Sequence, residues 1–359
     1  MKTYHFAPII NYIKNELVKR REILMIKKAS KPLPMIRTGY TKILLDVFSK
    51  HGINIQELLN DSGLPPDLFE TDKDYLPVEP VKRLVYLLSS QVGVNSFSEL
   101  LRIAFRQRII PQILKQFDTT ATVKEALEKV NAIFNHDSPG SEITFENQYG
   151  KYWLCRSAPY ENTLYFIWGE VFSVLYIIEL IQALTKSDWF PEQVKVQHID
   201  DDVIRSALNK KTQFFIAQSK SALLMDEKTL NSTVKFIPSD TKNKEPLIEW
   251  HSSFSDSVFT SLLPYVREHS LSITQAAKLL QMTTRTFQRR LKEERTSFRQ
   301  LKESLTLSIS CELMEEGYSL TYISNQLGYN NISHFSRAFK RISGLTPKVY
   351  RKSILGLTE

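Results

Sequence analysis

Four side chains late in the chain share a spacing that suits chemistry on nucleic acid. Gln288, Arg289 and Lys292 follow Arg285 by three, four and seven positions, so on a helix all four form one stripe. A guanidinium fork matches the acceptors on a guanine edge and a carboxamide matches adenine, each good pair discriminating by about 1–3 kcal/mol. A second set follows downstream, with Ser333, Ser336, Arg337 and Lys340 on one face and Asn331 and His334 flanking it. One cationic stripe is the ordinary fate of a solvated helix face. Two of them, each on the helix after a short turn, point to the DNA major groove.

The elements that must hold these residues can be read on either side. Ser272 with Gln275 is a capping box and predicts a helix from Ile273. Ala276 and Ala277 let a following helix cross closely, and Thr283 or Thr284 can cap that helix. Phe287 and Leu291, four apart, then face inward and leave the Arg285 stripe outside. The second set repeats the construction. Ser319 caps, Ile323 and Leu327 bury, Gly328 supplies a left-handed turn residue, and Phe335, Phe339 and Ile342 point inward. Thr346-Pro347 opens a closing helix as an N-cap followed by proline. Between the sets, Phe298 to about Glu316 spells a single helix of about 28 Å at 1.5 Å per residue. That approaches the ~34 Å between successive major-groove segments on one face of B-DNA.

Charge is segregated along the chain. Of the net +8, residues 1–35 contribute +6, residues 36–240 contribute −4 and residues 241–359 contribute +6. An acidic body joined to a basic C-terminal third suits a sensing domain attached to a polyanion-binding module. The 359 residues predict two or three domains, and 42% hydrophobic residues suffice for real cores. We read them as a basic extension over 1–35, a body over 36–236, a linker over 237–251 with IPSDTKNKEP bracketed by prolines, and a helical C-terminal domain over 252–355. The extension is either an arm that touches DNA or a partner, or a lead-in upstream of the natural start, with Met25 and Met35 as later candidate starts.

Within the body, Thr41 to Gly52, Glu79 to Gly93 and Ala121 to Phe134 have helical spacing, and Ser141 to Ser157 alternates about Tyr149-Gly150 as a hairpin. Val194 to Ile199 and Thr212 to Met225 read as further strands. The fold class expected is an α+β N-terminal domain followed by an all-α C-terminal domain with two helix-turn-helix units. The apolar stretch Leu164 to Leu184 carries Glu170, Glu179 and Gln182, which favours a buried helix over a membrane span. Aromatic residues concentrate around it, among them Tyr152, Trp153, Tyr160, Tyr165, Phe166, Trp168, Phe172 and Tyr176. Core packing accounts for such a cluster; Tyr152, Trp153, Tyr165, Trp168 and Phe172 are also candidates to line an apolar effector pocket.

Catalytic signatures are missing. No Gly-rich phosphate loop, nucleophile elbow or HExxH occurs. His5, His51, His136, His198, His251, His269 and His334 do not pair with cysteines at metal-ligand spacing, so no metal or cofactor is expected. Cys155 and Cys311 stand far apart, which implies no disulfide framework and suits a reducing cytoplasm.

The C-terminal residues closely resemble the AraC/XylS family of bacterial transcription regulators. The resemblance is carried by Ile323, Ser324, Leu327-Gly328-Tyr329, Phe335, Arg337, Phe339-Lys340, Gly344, Thr346-Pro347 and Tyr350-Arg351, and it covers roughly Ser252 to Ser353. Three positions depart from the family pattern: Gln281 and Arg295 stand where glycine is common, and Thr306 where arginine is frequent. The body more weakly resembles the regulatory domain of one subgroup, of the arabinose-operon-regulator type, over Gly52 to Phe69, Leu76 to Leu84 and Pro191 to Val203. The resemblance implies a cytoplasmic, effector-responsive activator. Its partners would be double-stranded promoter DNA, RNA polymerase, a small-molecule effector and a second copy as a homodimer, with no membrane. The competing readings are a constitutive DNA-binding repressor or architectural protein, and an enzyme such as an alkyl-transfer repair protein carrying the same module.

Overall fold

The computed structural model describes residues 33–70, 74–117, 122–157, 165–208, 211–235, 253–266, 271–353 and 355. Most of 1–35, all of 237–251 and Tyr160, named above, lie outside them. The described residues of Pro34–Trp250 pack as one unit, and Leu33 with those of His251–Glu359 as another.

The first unit mixes helices with two sheets. Strand β1 (Met35–Arg37) runs into α1 (Thr38–Ser49), whose buried stripe of Tyr40, Leu44, Val47 and Phe48 follows helical spacing. Helix α2 (Ile55–Ser62) is capped by Asn54 and stopped by left-handed Gly63. Strand β2 (Tyr75–Pro77) pairs antiparallel with β1 and leads into α3 (Val78–Val92). Helix α4 (Val94–Ala104) continues through a π-helical turn, Phe105–Ile109, into α5 (Ile110–Leu114). The helix expected over Ala121 to Phe134 is two, α6 (Val123–Glu128) and α7 (Val130–Asp137). The buried stripe Val123, Ala126, Leu127, Val130, Phe134 runs straight through the break at Lys129, so apolar spacing does not reveal it.

The second sheet has the order β3-β4-β7-β5-β6. Strands β3 (Glu142–Gln148) and β4 (Lys151–Ser157) form the expected hairpin, with Tyr149 and Gly150 both at positive φ, 54° and 78°. That conformation matches the twist of the strands it joins. Helix α8 (Phe166–Thr185) follows, then β5 (Gln193–Lys195), α9 (Asp202–Ala207), β6 (Gln213–Phe215), β7 (Ser221–Met225) and α10 (Glu227–Leu230). Among the described strands, only β5 and β6 are parallel neighbours. The apolar run from Thr212 to Met225 therefore divides between two strands.

Helix α8 is long and apolar enough to cross a membrane, but 78% of its most apolar window is buried inside the unit. Its two acids explain how it stays there. Glu170 accepts from the amides of Gln197 (2.8 Å) and His198 (3.0 Å) and from the Ser221 hydroxyl (2.5 Å). Glu179 accepts from Arg102 (3.0 Å) and, through both oxygens, from Arg106 (2.9 and 3.0 Å). A buried carboxylate is tolerable only when so matched.

The second unit is wholly helical among its described residues. Helices α11 (Phe254–Val266), α12 (Ile273–Leu279), α13 (Thr284–Glu293), α14 (Phe298–Glu315), α15 (Leu320–Gln326), α16 (Ile332–Ser343) and α17 (Pro347–Ser353) surround a core that includes Phe254, Phe287, Leu305, Leu313, Ile323, Phe335 and Phe339.

The Glu179 cluster gives a stability test. Glu179→Leu leaves the mostly buried Arg102 guanidinium without its partner and is expected to cost about 3–5 kcal/mol. Urea unfolding followed by the fluorescence of Trp153, Trp168 and Trp189 measures it; a midpoint equal to wild type would refute the assignment.

Candidate nucleic-acid interface

Helix α12 begins with the capping box in full. Ser272 Oγ accepts from the Gln275 amide (3.2 Å), and Gln275 Oε1 accepts from the Ser272 amide (2.9 Å). Buried Ala276 and Ala277 permit a close crossing by α13, which Thr283 rather than Thr284 caps. Phe287 and Leu291 are fully buried, and Arg285, Gln288, Arg289 and Lys292 are all exposed on the opposite side. Arg289 reaches Glu293 at 2.7 Å, an exposed i,i+4 pair of a kind worth about 0.3–0.5 kcal/mol, which a polyanion displaces cheaply. Arg290, by contrast, lies over the Phe254 ring at 3.8 Å and serves packing. Glu294, at the end of α13, accepts from the first amides of α11, Phe254 (2.7 Å) and Ser255 (2.8 Å). That carboxylate fixes the far end of α13 to α11.

Helices α15 and α16 repeat the arrangement. Ser319 caps α15, Ile323 and Leu327 are buried, and Gly328 turns at φ 74°. Phe335 and Phe339 are buried beneath α16. Ser333, His334, Arg337 and Lys340 are exposed, and Ser336 is half-buried. Asn331 is exposed but is also the N-cap: its Oδ1 accepts from the His334 amide at 2.9 Å. Ile332, 40% exposed at the first turn of α16, was absent from the sequence reading because an apolar residue there looks like core.

Helix α14 joins the two arrangements as one continuous rod of 18 residues, about 27 Å. Glu303 on it pairs with Arg341 on α16 (2.9 Å) and with Arg299 (3.2 Å). Arg351 of α17 donates to the Tyr318 carbonyl. Two departures from the family pattern have a backbone meaning. Gln281 and Arg295 adopt φ of 52° and 57°, and Gln281 occupies the position in its turn that Gly328 occupies in the second. A β-carbon in that region costs about 1 kcal/mol.

The five proposed effector residues do not converge. Trp168 and Phe172 line a cavity within the first unit; Tyr152, Trp153 and Tyr165 do not. Strand alternation separates the first two. Tyr152 stacks on Phe145 at 5.5 Å, whereas Trp153 faces the opposite side with Cys155 and Ala222, under Lys195. Tyr165 packs on Tyr86 and Arg83. The cavity-lining residue missed was Arg156, which shares the inward phase of β4 with Tyr152 and Leu154. A cation at the apolar phase of an alternating strand was the available signal. Burial pushes both Cys155 and Cys311 thiols up to about 11, which leaves little thiolate for an alkyl-transfer reaction at neutral pH. Asp200, Asp201 and Asp202 are the one acidic grouping among the described residues close enough to hold a cation, and Asp201 pairs with Arg205.

A helix-turn-helix domain family matches residues 276–353. The HTH-type transcriptional activator CfaD of Escherichia coli is 31% identical over 133 residues, 35% of this chain and 49% of that one. The DNA-binding dual transcriptional regulator Rns of Escherichia coli is 29% identical over 168 residues, 42% and 61%. An uncharacterized HTH-type transcriptional regulator of Mycobacterium tuberculosis is 39% identical over 82 residues, 23% and 24%. The matched segment thus spans from about a quarter to three fifths of these relatives' lengths.

The two left-handed side chains predict a gain. Gln281→Gly and Arg295→Gly should each stabilise the helical unit by about 0.5–1 kcal/mol while leaving DNA affinity unchanged. Hydrogen-exchange protection of α12 to α14 is the measurement, and reduced protection in both variants would contradict the strain assigned to them.

Proposed function

Starting from an AraC-type helix-turn-helix domain at the C-terminus of a transcription regulator, we propose that the chain is an effector-responsive activator that reads two adjacent major-groove segments. One observation carries the reading. Each of α13 and α16 buries an aromatic-led pair and exposes a stripe of guanidinium, ammonium and amide groups on its other side, immediately after a short helix and turn. This is the geometry by which a second helix enters the major groove with its outer residues on base edges.

In this proposal α12–α13 and α15–α16 are two helix-turn-helix units. Arg285, Gln288, Arg289 and Lys292 meet one groove segment, and Asn331, Ser333, His334, Ser336, Arg337 and Lys340 meet the next. Ile332 offers apolar surface suited to a thymine methyl. Helix α14 sets their separation near the ~34 Å helical repeat. The body over 36–236 senses a small molecule and mediates homodimerisation, the segment 237–251 links it to the DNA-binding domain over 252–355, and RNA polymerase is the downstream partner on promoter DNA in the cytoplasm.

Arg289→Ala and Arg337→Ala should each weaken specific binding by about 1–3 kcal/mol and relax one base position. Lys340→Ala should weaken all sequences alike and lower the salt slope by about one. Titration against a randomised operator library reads all three. Hydroxyl-radical footprinting should show two protected groove segments per DNA-binding domain; a single segment, or unchanged affinity in both arginine variants, would refute the role assignment.

A further inference from the structure

A cavity of about 90 Å³ lies within the first unit between α3, α8 and β4. Val81, Val85, Phe166, Trp168 and Phe172 make most of its wall apolar. The aromatic side is rigid, because Trp168 meets Phe97 edge-on at 5.6 Å and Phe172 meets Phe105 at 4.9 Å. At roughly 10–15 Å³ per enclosed water, the space suits a molecule of on the order of ten non-hydrogen atoms.

Four charged side chains line it: Lys82, Asp137, Arg156 and Glu170. Three are engaged. Lys82 lies 3.8 Å from Glu79, Asp137 lies 3.7 Å from Arg37, and Glu170 holds its three donors from the neighbouring loop and strand. Arg156 differs. Its side chain makes no hydrogen bond and no ion pair among the described residues. It sits deep enough for burial to lower its pKa, the Glu170 charge acting against this from beyond contact range. It nevertheless keeps some accessible surface and lines the cavity. A guanidinium stays protonated in such a place and brings five donors in a planar fork. An unpaired buried charge is costly, and a carboxylate is the partner whose two oxygens fit the fork.

We propose that this cavity binds a small organic monoanion, with its carboxylate on Arg156 and a compact aliphatic or aryl body against Val85, Phe166, Trp168 and Phe172. The inference rests on the reading of this unit as a small-molecule sensor and names the chemical class of the effector. Such a ligand also completes the unit, since it supplies the charge that β4 lacks. Neutral molecules of the same shape leave the guanidinium unpaired and bind more weakly.

The test uses the full-length chain and two acid–amide pairs, octanoate with octanamide and phenylacetate with phenylacetamide. Thermal unfolding and isothermal titration are read for each. At least one acid should bind, raising Tm by about 5 °C at a hundredfold excess over its Kd, with its amide at least tenfold weaker. Arg156→Met should erase the acid–amide difference without lowering the Tm of the unliganded protein. Arg156→Lys should keep part of the difference. Val85→Phe, which retains the cation and fills the apolar end, should abolish binding of both members of a pair. The proposal is overturned if amides bind as tightly as acids, if Arg156→Met binds acids like wild type, or if no acid of the panel shifts Tm. Promoter affinity measured with and without each compound separates the two levels. An acid that binds through Arg156 without changing promoter affinity would keep this inference and sink effector coupling. A response of promoter affinity to neutral compounds alone would do the reverse.

Discussion

No residue on a helix can be rotated independently of its neighbours one turn away, and the helical unit depends on that constraint. Burying Phe287 with Leu291 fixes the outward phase of Arg285, Gln288, Arg289 and Lys292. Burying Phe335 with Phe339 does the same for Arg337 and Lys340. The apolar pairs supply the free energy that holds each helix, and the cations take whatever direction remains. The caps Thr283 and Asn331 then fix where each helix starts, so phase and origin are both determined before any nucleic acid is present. Glu294 and Glu303 add a second level of restraint. Glu294 ties α13 to α11 and Glu303 ties α16 to α14, so each of these two helices has a second point of attachment.

Much of this could be read from the sequence because helical periodicity and capping are local. The capping box at Ser272, the inward pairs, Gly328 at its turn and the connecting helix from Phe298 all follow from residues a few positions apart. What escaped was decided by tertiary contact. Arg290 is as cationic as the exposed stripe beside it, yet it lies on Phe254, 36 residues away in a different helix. Lys129 breaks a helix whose apolar stripe is unbroken. Tyr152 and Trp153 look like one aromatic cluster in sequence, but a strand sends adjacent side chains to opposite faces, so they cannot share a pocket. Arg156 follows from the same alternation that separated them.

The body shows how an apolar helix is kept inside a folded unit rather than merely hidden there. Helix α8 carries Glu170 and Glu179 nine residues apart, and each is met by donors from a different part of the unit. Glu170 gathers strand β7 and the loop around Gln197 and His198, while Glu179 gathers α4 and the π-helical turn. Matching these two acids therefore specifies the rotation and depth of α8, and through it the position of Trp168 and Phe172 on the cavity wall. Side chains that cost free energy to bury thus give orientational information that a purely apolar helix would lack.

The continuity of α14 restricts how this protein can change over time. One residue added to it would turn everything beyond by about 100° and advance it by about 1.5 Å. Arg337 and Lys340 would then be turned relative to Arg285 and Arg289, and the Glu303–Arg341 contact would be lost with that turn. Substitution within that rod is open to drift; a change in its length is not. Lineages derived from this chain can alter the outward side chains of α13 and α16 one at a time, but they inherit the distance between those two helices as a fixed gauge.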